Sequence, residues 1–263
     1  MTMDGPADAV RRPLLRQRRR LAAICAELSD DEWAAPSRCD GWRVQDVIAH
    51  LVGVNGFWQL SISAGLAGEP TRLLGAFDPA ATPDLMVDGM RSMTARETLD
   101  QFVASNDGFL DAVEPLDIGE WETLAESPPG HVAIGVLAHH ALWDAWVHER
   151  DILLPLDRVP EVEADEVSAC LRYAAGISPA LALTRASATP GSFAVSARSP
   201  DMSFVVDVSD LVAVRQEQVG DHPTLRGDAV DLIDALTLRA PLPIDAPSEW
   251  NTMIRGLATA FDQ

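Results

Sequence analysis

The stretch from His131 to Leu154 constrains this chain more than any other. It follows Pro128-Pro129-Gly130 and stops at Pro155, residues that break helices and so frame one between them. Counting about 100° per residue from Val136, an apolar stripe forms from Val132, Val136, Trp143, Val147 and Leu154. His140, Asp151, Asp144 and His148 fall at roughly 40°, 60°, 80° and 120° on the same wheel. Four ionisable groups therefore border the core-facing side of one helix. Burying even a neutral polar group without a partner costs about 1–3 kcal/mol. A metal ion or a tight hydrogen-bond network would offset that cost.

Asp144 and His148 are one helical turn apart and can reach a single ion together. A third ligand must come from another element. His50 is the candidate, at the edge of a stripe made by Val47, Leu51, Val54 and Trp58 on a second long helix. Imidazole with carboxylate suits a borderline divalent metal such as zinc, and three protein ligands leave a position open for water or substrate. The competing interpretation is plain: an inward histidine is commonly an ordinary core residue, and Asp-x-x-x-His is as often an exposed pair. His140 is open to several roles: replacing Asp144 or His148, binding substrate, or supporting a ligand from behind. Asp151 is placed to orient a ligand, whereas His131 and His139 carry no special expectation.

The rest of the chain divides in two. Helices are expected over 13–28, 43–66, 94–113 and 131–154, with capping boxes at Ser29-Asp30-Asp31-Glu32 and Thr94-Ala95-Arg96-Glu97. Residues 67–93, rich in Gly, Pro and Asp, read as an extended connection. A connecting helix follows over 164–183. After Pro190-Gly191, β-type runs occupy 192–198, 203–208 and 211–216, then helices cover 228–238 and 248–261. The fold expected is α+β, with a helical bundle at 1–155, then a connecting helix and a small α+β domain at 156–263.

Composition mainly excludes. All 20 basic residues are arginine, against 40 acids, for a net charge of −20. Without lysine there is no Schiff-base chemistry and no phosphate loop ending in Gly-Lys-Ser/Thr. An acidic balance of this size argues against nucleic-acid or anionic-membrane partners. No run approaches the roughly 18 apolar residues of a membrane span. Cys25, Cys39 and Cys170 make no Cys-x-x-Cys pair, which fits a reducing, cytoplasmic setting. Arg12, Arg16, Arg19 and Arg20 share a side of the first helix, either as an anion-binding face or as a flank paired with the chain's acids.

Two segments resemble a known family. Trp33 with Pro36-Ser37-Arg38-Cys39-Asp40-Gly41-Trp42-Arg43, continuing to His50-Leu51, is similar to the N-terminal motif of mycothiol-dependent maleylpyruvate isomerases. Asp144-Ala145-Trp146-Val147-His148-Glu149-Arg150-Asp151-Ile152 resembles their second motif. The stretch from Thr224 to Leu232, with Leu238-Arg239-Ala240-Pro241, is similar to the sterol-carrier-like domain that follows such bundles. The resemblance implies a DinB-like four-helix bundle that holds a divalent metal, most commonly zinc, through His50, Asp144 and His148. It implies mycothiol as cosubstrate, adding to a small electrophile for cis–trans isomerisation or thiol transfer. It also implies an arginine of the C-terminal domain paired with a substrate carboxylate, for which Arg226 and Arg239 are the candidates. Asp144 departs from the glutamate of well-known isomerases by one methylene, which leaves the reach of that ligand open.

Cys39 is expected to pack, since the resemblance supplies the thiol from a cosubstrate. Trp33, Trp42, Trp143 and Trp146 are expected in the bundle core. Two other functions compete: a thiol-independent isomerase or cyclase that uses the metal as a Lewis acid, and a non-catalytic small-molecule binder with a structural metal. A fourth protein ligand, such as His140, would favour the last.

Overall fold

The computed structural model describes residues 1–76, 81–185, 189–243, 247 and 250–257. The chain opens with a short strand, β1 (Thr2–Met3), and then α1 (Arg11–Glu27), α2 (Asp30–Ala34) and α3 (Val44–Leu66). Both expected capping boxes form: Ser29 caps α2 through Glu32, and Thr94 caps α5 (Ala95–Val113) through Glu97. Such caps contribute about 1 kcal/mol each by satisfying backbone N–H groups that have no helical acceptor.

Between α3 and α5 lies α4 (Thr82–Asp88), where an extended connection was expected; Pro83 in its first turn suits helix initiation. The next long helix also starts later than the sequence suggests. Pro128-Pro129 is the turn of a hairpin, β2 (Leu124–Ser127) with β3 (Gly130–Ala133), so His131 and Val132 are strand residues. Only then comes α6 (Ile134–Leu153), while Leu154 belongs to a 3-10 turn beyond it.

Helix α6 is not amphipathic in place. All of its residues are buried except Asp144, because α1, α3, α7 (Ala164–Thr184) and β2 surround it. A stripe analysis presumes a solvent side, and this helix has almost none. Helix α3 is long and apolar enough to cross a membrane by length and composition, more so than the sequence reading allowed. Here it packs Val44, Val47, Ile48, Leu51, Trp58 and Ile62 inside the bundle.

The C-terminal part holds β4 (Gly191–Arg198), β5 (Met202–Val208), β6 (Val212–Arg215) and β7 (Thr224–Asp228), then α8 (Ala229–Leu236) and α9 (Asn251–Ile254). Residues 248–249 and 258–261 of the expected last helix lie outside the described residues. Strand order is β1-β6-β5-β4-β7, antiparallel along β6-β5-β4, with β7 parallel to β4 and β1 parallel to β6. Residues 2–3 thus complete a sheet built otherwise from the far end of the chain. Helix α7 is the wall shared by both halves: Cys170, Ala174 and Ile177 join one apolar core that runs from Leu14 and Trp146 to Phe193 and Phe204. The fold is α+β, a helical bundle joined to a mixed sheet with helices.

Candidate metal centre

The loop before α3 sets the site's outer wall. Pro36 and Arg43 form an isolated bridge, Ser37 bonds twice to the Trp42 carbonyl, and Gly41 takes φ +75, which a side chain would strain. The Arg38 N–H donates to the Asp151 carbonyl at 3.1 Å, fixing this loop to the end of α6. Helix α3 then carries His50 inward, half-buried beside the Trp42 ring at 5.4 Å.

His50, Asp144 and His148 meet. His50 Nε2 lies 3.9 Å and His148 Nε2 lies 3.6 Å from Asp144 Oδ1. Ligand atoms of the three residues all fall within 4.8 Å of one another. The corresponding edge of a tetrahedral zinc site, with bonds of about 2.0–2.1 Å, is about 3.4 Å. Asp144 Oδ2 and His50 Nδ1 are buried without hydrogen-bond partners. A carboxylate with one oxygen between two imidazoles and the other without a partner is a donor set suited to a cation.

His148 is held from behind. Its Nδ1 donates to Asp151 Oδ2 at 3.0 Å, which turns Nε2 toward Asp144 and His50. Asp151 is fully buried and is gripped by two arginines: Arg239, with Nη2 to Oδ2 at 2.7 Å, and Arg38, with Nε to Oδ1 at 3.1 Å. Arg38 also spans to Asp234 of α8 at 3.0 Å. Both halves of the fold thus converge on one carboxylate.

Charge follows this geometry. Burial alone would raise the Asp144 carboxyl, but its contact with His50 and the nearby imidazoles hold it well below the usual carboxylate range. Burial likewise opposes Asp151, and His148 and Arg239 overcome it in the same direction. Burial also disfavours a charged His148; its bonds to Asp151 and Cys39 and the Asp144 charge outweigh this and raise its pKa to about 10 in the absence of an ion.

Of the other sequence candidates, Arg239 lies at the centre's rim, while Arg226 is exposed on β7 and its side chain makes no hydrogen bond or ion pair among the described residues. Cys39 packs in part but sits in polar company: Sγ is 3.3 Å from Asp151 Oδ2, 3.6 Å from Arg239 Nη2 and 3.9 Å from His148 Nδ1. His140 does not join the triad; its Nδ1 meets the Tyr173 hydroxyl at 2.6 Å. His139 bonds to the Gly135 carbonyl and His131 to that of Thr71. Trp33, Trp143 and Trp146 are buried; Trp42 is only half-buried, beside His50, and donates to Asp84 of α4 at 2.7 Å.

Three of the four arginines expected to share a side of α1 form a paired flank, while Arg12 is exposed and makes no ion pair among the described residues. Arg16 joins Asp165 and Glu166, Arg19 joins Glu114, and Arg20 joins Glu149 and Glu166. Sequence reasoning overlooked three side chains. Arg38 lay inside the quoted motif, and Tyr173 is the chain's single tyrosine, so each carried a signal. Arg18 carried none. It is fully buried, donating to Asn55 Oδ1 and the Ala141 carbonyl at 2.8 Å each, and so braces α3 against α6.

The family model for the mycothiol maleylpyruvate isomerase N-terminal domain matches residues 14–153, more than half of the chain. The chain belongs to this family. The match spans α1 to the end of α6, and therefore includes every residue of the triad. Two solved structures are similar in fold: a crystal structure of the mycothiol-dependent maleylpyruvate isomerase, and one of its histidine-to-alanine mutant. Their TM-scores are 0.62 and 0.63, at 14% identity, over 91% of this chain and 93% of each of those chains. A search of curated proteins gave no match.

Proposed function

We propose that this protein is a divalent-metal enzyme that uses a low-molecular-weight thiol, mycothiol, on a small electrophilic substrate, as a cis–trans isomerase or a thiol transferase. The convergence of His50, Asp144 and His148, with His148 oriented by Asp151, carries the reading. These three residues would hold the ion, and two imidazoles with one carboxylate suit zinc. When bound, such an ion lowers the pKa of a thiol or polarises a carbonyl.

The chain's own residues do the rest. Asp151 keeps the His148 proton on Nδ1 and its lone pair toward the site. Arg239 and Arg38 keep Asp151 ionised and immobile. Arg239 remains partly exposed, 24% by side chain, and is the fixed cation best placed to attract a substrate carboxylate. Arg226 rests on the family resemblance alone. Trp42, with its indole tied to Asp84, forms an apolar edge beside His50.

A fourth protein ligand would instead point to a structural metal. Three ligands meet in this group and His140 is not among them, which favours an open position. The test is turnover of maleylpyruvate by the zinc-loaded chain with and without mycothiol. Isomerisation that requires the thiol is expected. Turnover without thiol would favour the Lewis-acid isomerase, and zinc binding with no turnover of electrophiles would favour the binding protein.

A further inference from the structure

His140 is a buried imidazole that the triad does not use, and its surroundings are specific. Its ring lies among three aromatic rings, with centroids 4.9 Å from Trp58, 5.3 Å from Trp143 and 5.1 Å from Tyr173. A cage of this kind fixes the plane of the ring. Nδ1 meets the Tyr173 hydroxyl of α7 at 2.6 Å. The Trp58 ring that packs on His140 belongs to α3, the helix that also carries His50, whereas Tyr173 belongs to α7. One helical turn separates His140 from Asp144, which places the two on the same face. The ring is 8% exposed, and Nε2 has no hydrogen-bond partner among the described residues.

The Tyr173 hydroxyl is buried, and burial keeps it protonated. Donating to His140 Nδ1 gives its proton an acceptor and makes Nε2 the N–H of a neutral imidazole. Burial also lowers the pKa of His140 to about 4, so the ring carries no charge near neutral pH. A neutral N–H donor beside a cation site is suited to an oxygen that gains negative charge during reaction.

We propose that His140 is a substrate-facing hydrogen-bond donor, its Nε2–H held toward the metal position by Tyr173 acting as a positioning residue. This rests on the function proposed above. In addition of the thiolate, whose proton solvent has taken up, sulfur bonds to an alkene carbon and the π pair moves onto the conjugated carbonyl oxygen. The resulting single bond rotates, the pair returns, and the C–S bond breaks, so atoms and electrons balance. His140 donates to that oxygen while it holds the pair, and no proton leaves the ring.

The test begins with ¹⁵N-histidine NMR of the full chain. Wild type should show His140 as the Nε2–H tautomer, and Tyr173→Phe should show a tautomer mixture. Maleate, used as a dicarboxylate probe on the zinc-loaded protein, should shift the His140 Nε2 resonance. With mycothiol and maleylpyruvate, His140→Leu should lower kcat by about 100-fold at unchanged zinc content. Tyr173→Phe should lower kcat with little change in KM. An Nδ1–H tautomer, a His140 signal indifferent to maleate, or zinc lost on His140→Leu would each overturn the proposal. If wild type fails to turn over maleylpyruvate, the proposed function fails, while the tautomer and the maleate shift still decide the role of His140.

Discussion

Asp151 Oδ2 accepts a hydrogen bond from His148 Nδ1 at 3.0 Å while Arg239 Nη2 binds the same oxygen at 2.7 Å. One buried carboxylate therefore orients the His148 imidazole of the bundle and anchors an arginine from the C-terminal half.

Asp151→Asn should weaken zinc binding by about 10- to 100-fold, because the amide orients His148 poorly. It should also destabilise the fold by about 3–5 kcal/mol, since Arg38 and Arg239 lose the charge they share. Chelator competition measures the first effect and urea denaturation the second.

Zinc uptake should release about one proton per ion near neutral pH. Without an ion His148 has a pKa of about 10, above its ordinary value of about 6.5. The stability that its proton contributes is fully present below about pH 6.5 and is lost as pH rises through 10. The ion competes with that proton, so apparent affinity should rise about tenfold per pH unit across this window. Calorimetric titration in buffers of different ionisation enthalpy counts the protons; a count near zero would contradict the protonated imidazole.

Arg18 and Arg19 should behave as opposites. Arg18→Ala opens a cavity and strips Asn55 and the Ala141 carbonyl of a donor, with an expected loss of about 3 kcal/mol or more. Arg19 pairs with Glu114 at the exposed surface, so Arg19→Ala should stay within about 0.5 kcal/mol. Thermal denaturation of the two variants separates them.

Legibility in the sequence followed the range of the interactions. Ser29 with Glu32 and Thr94 with Glu97 were readable because a capping box is complete within four residues. The strand Thr224–Asp228 is absent from the expected strands because Asp228, its last residue, also caps α8 and marks a helix start. Strand β1 is two residues long and pairs with Val214 and Ala213, so no local pattern announced it. His131 was placed in a helix because the four-residue strands of its hairpin are too short to show alternation. At the site, Asp144 and His148 shared a helix and stood out by spacing. Arg38 reaching Asp151, and Tyr173 reaching His140, depend on where α2, α7 and α8 pack. Arg18 and Arg19 differ by one position in a run of arginines, and only tertiary contacts separate a buried brace from a surface ion pair.

The most direct measurement is the zinc content of protein purified without added metal, compared with His50→Ala and His148→Ala. About one equivalent is expected in wild type, with both variants largely empty at unchanged secondary structure. Unchanged zinc in both variants would contradict a centre built on His50, Asp144 and His148.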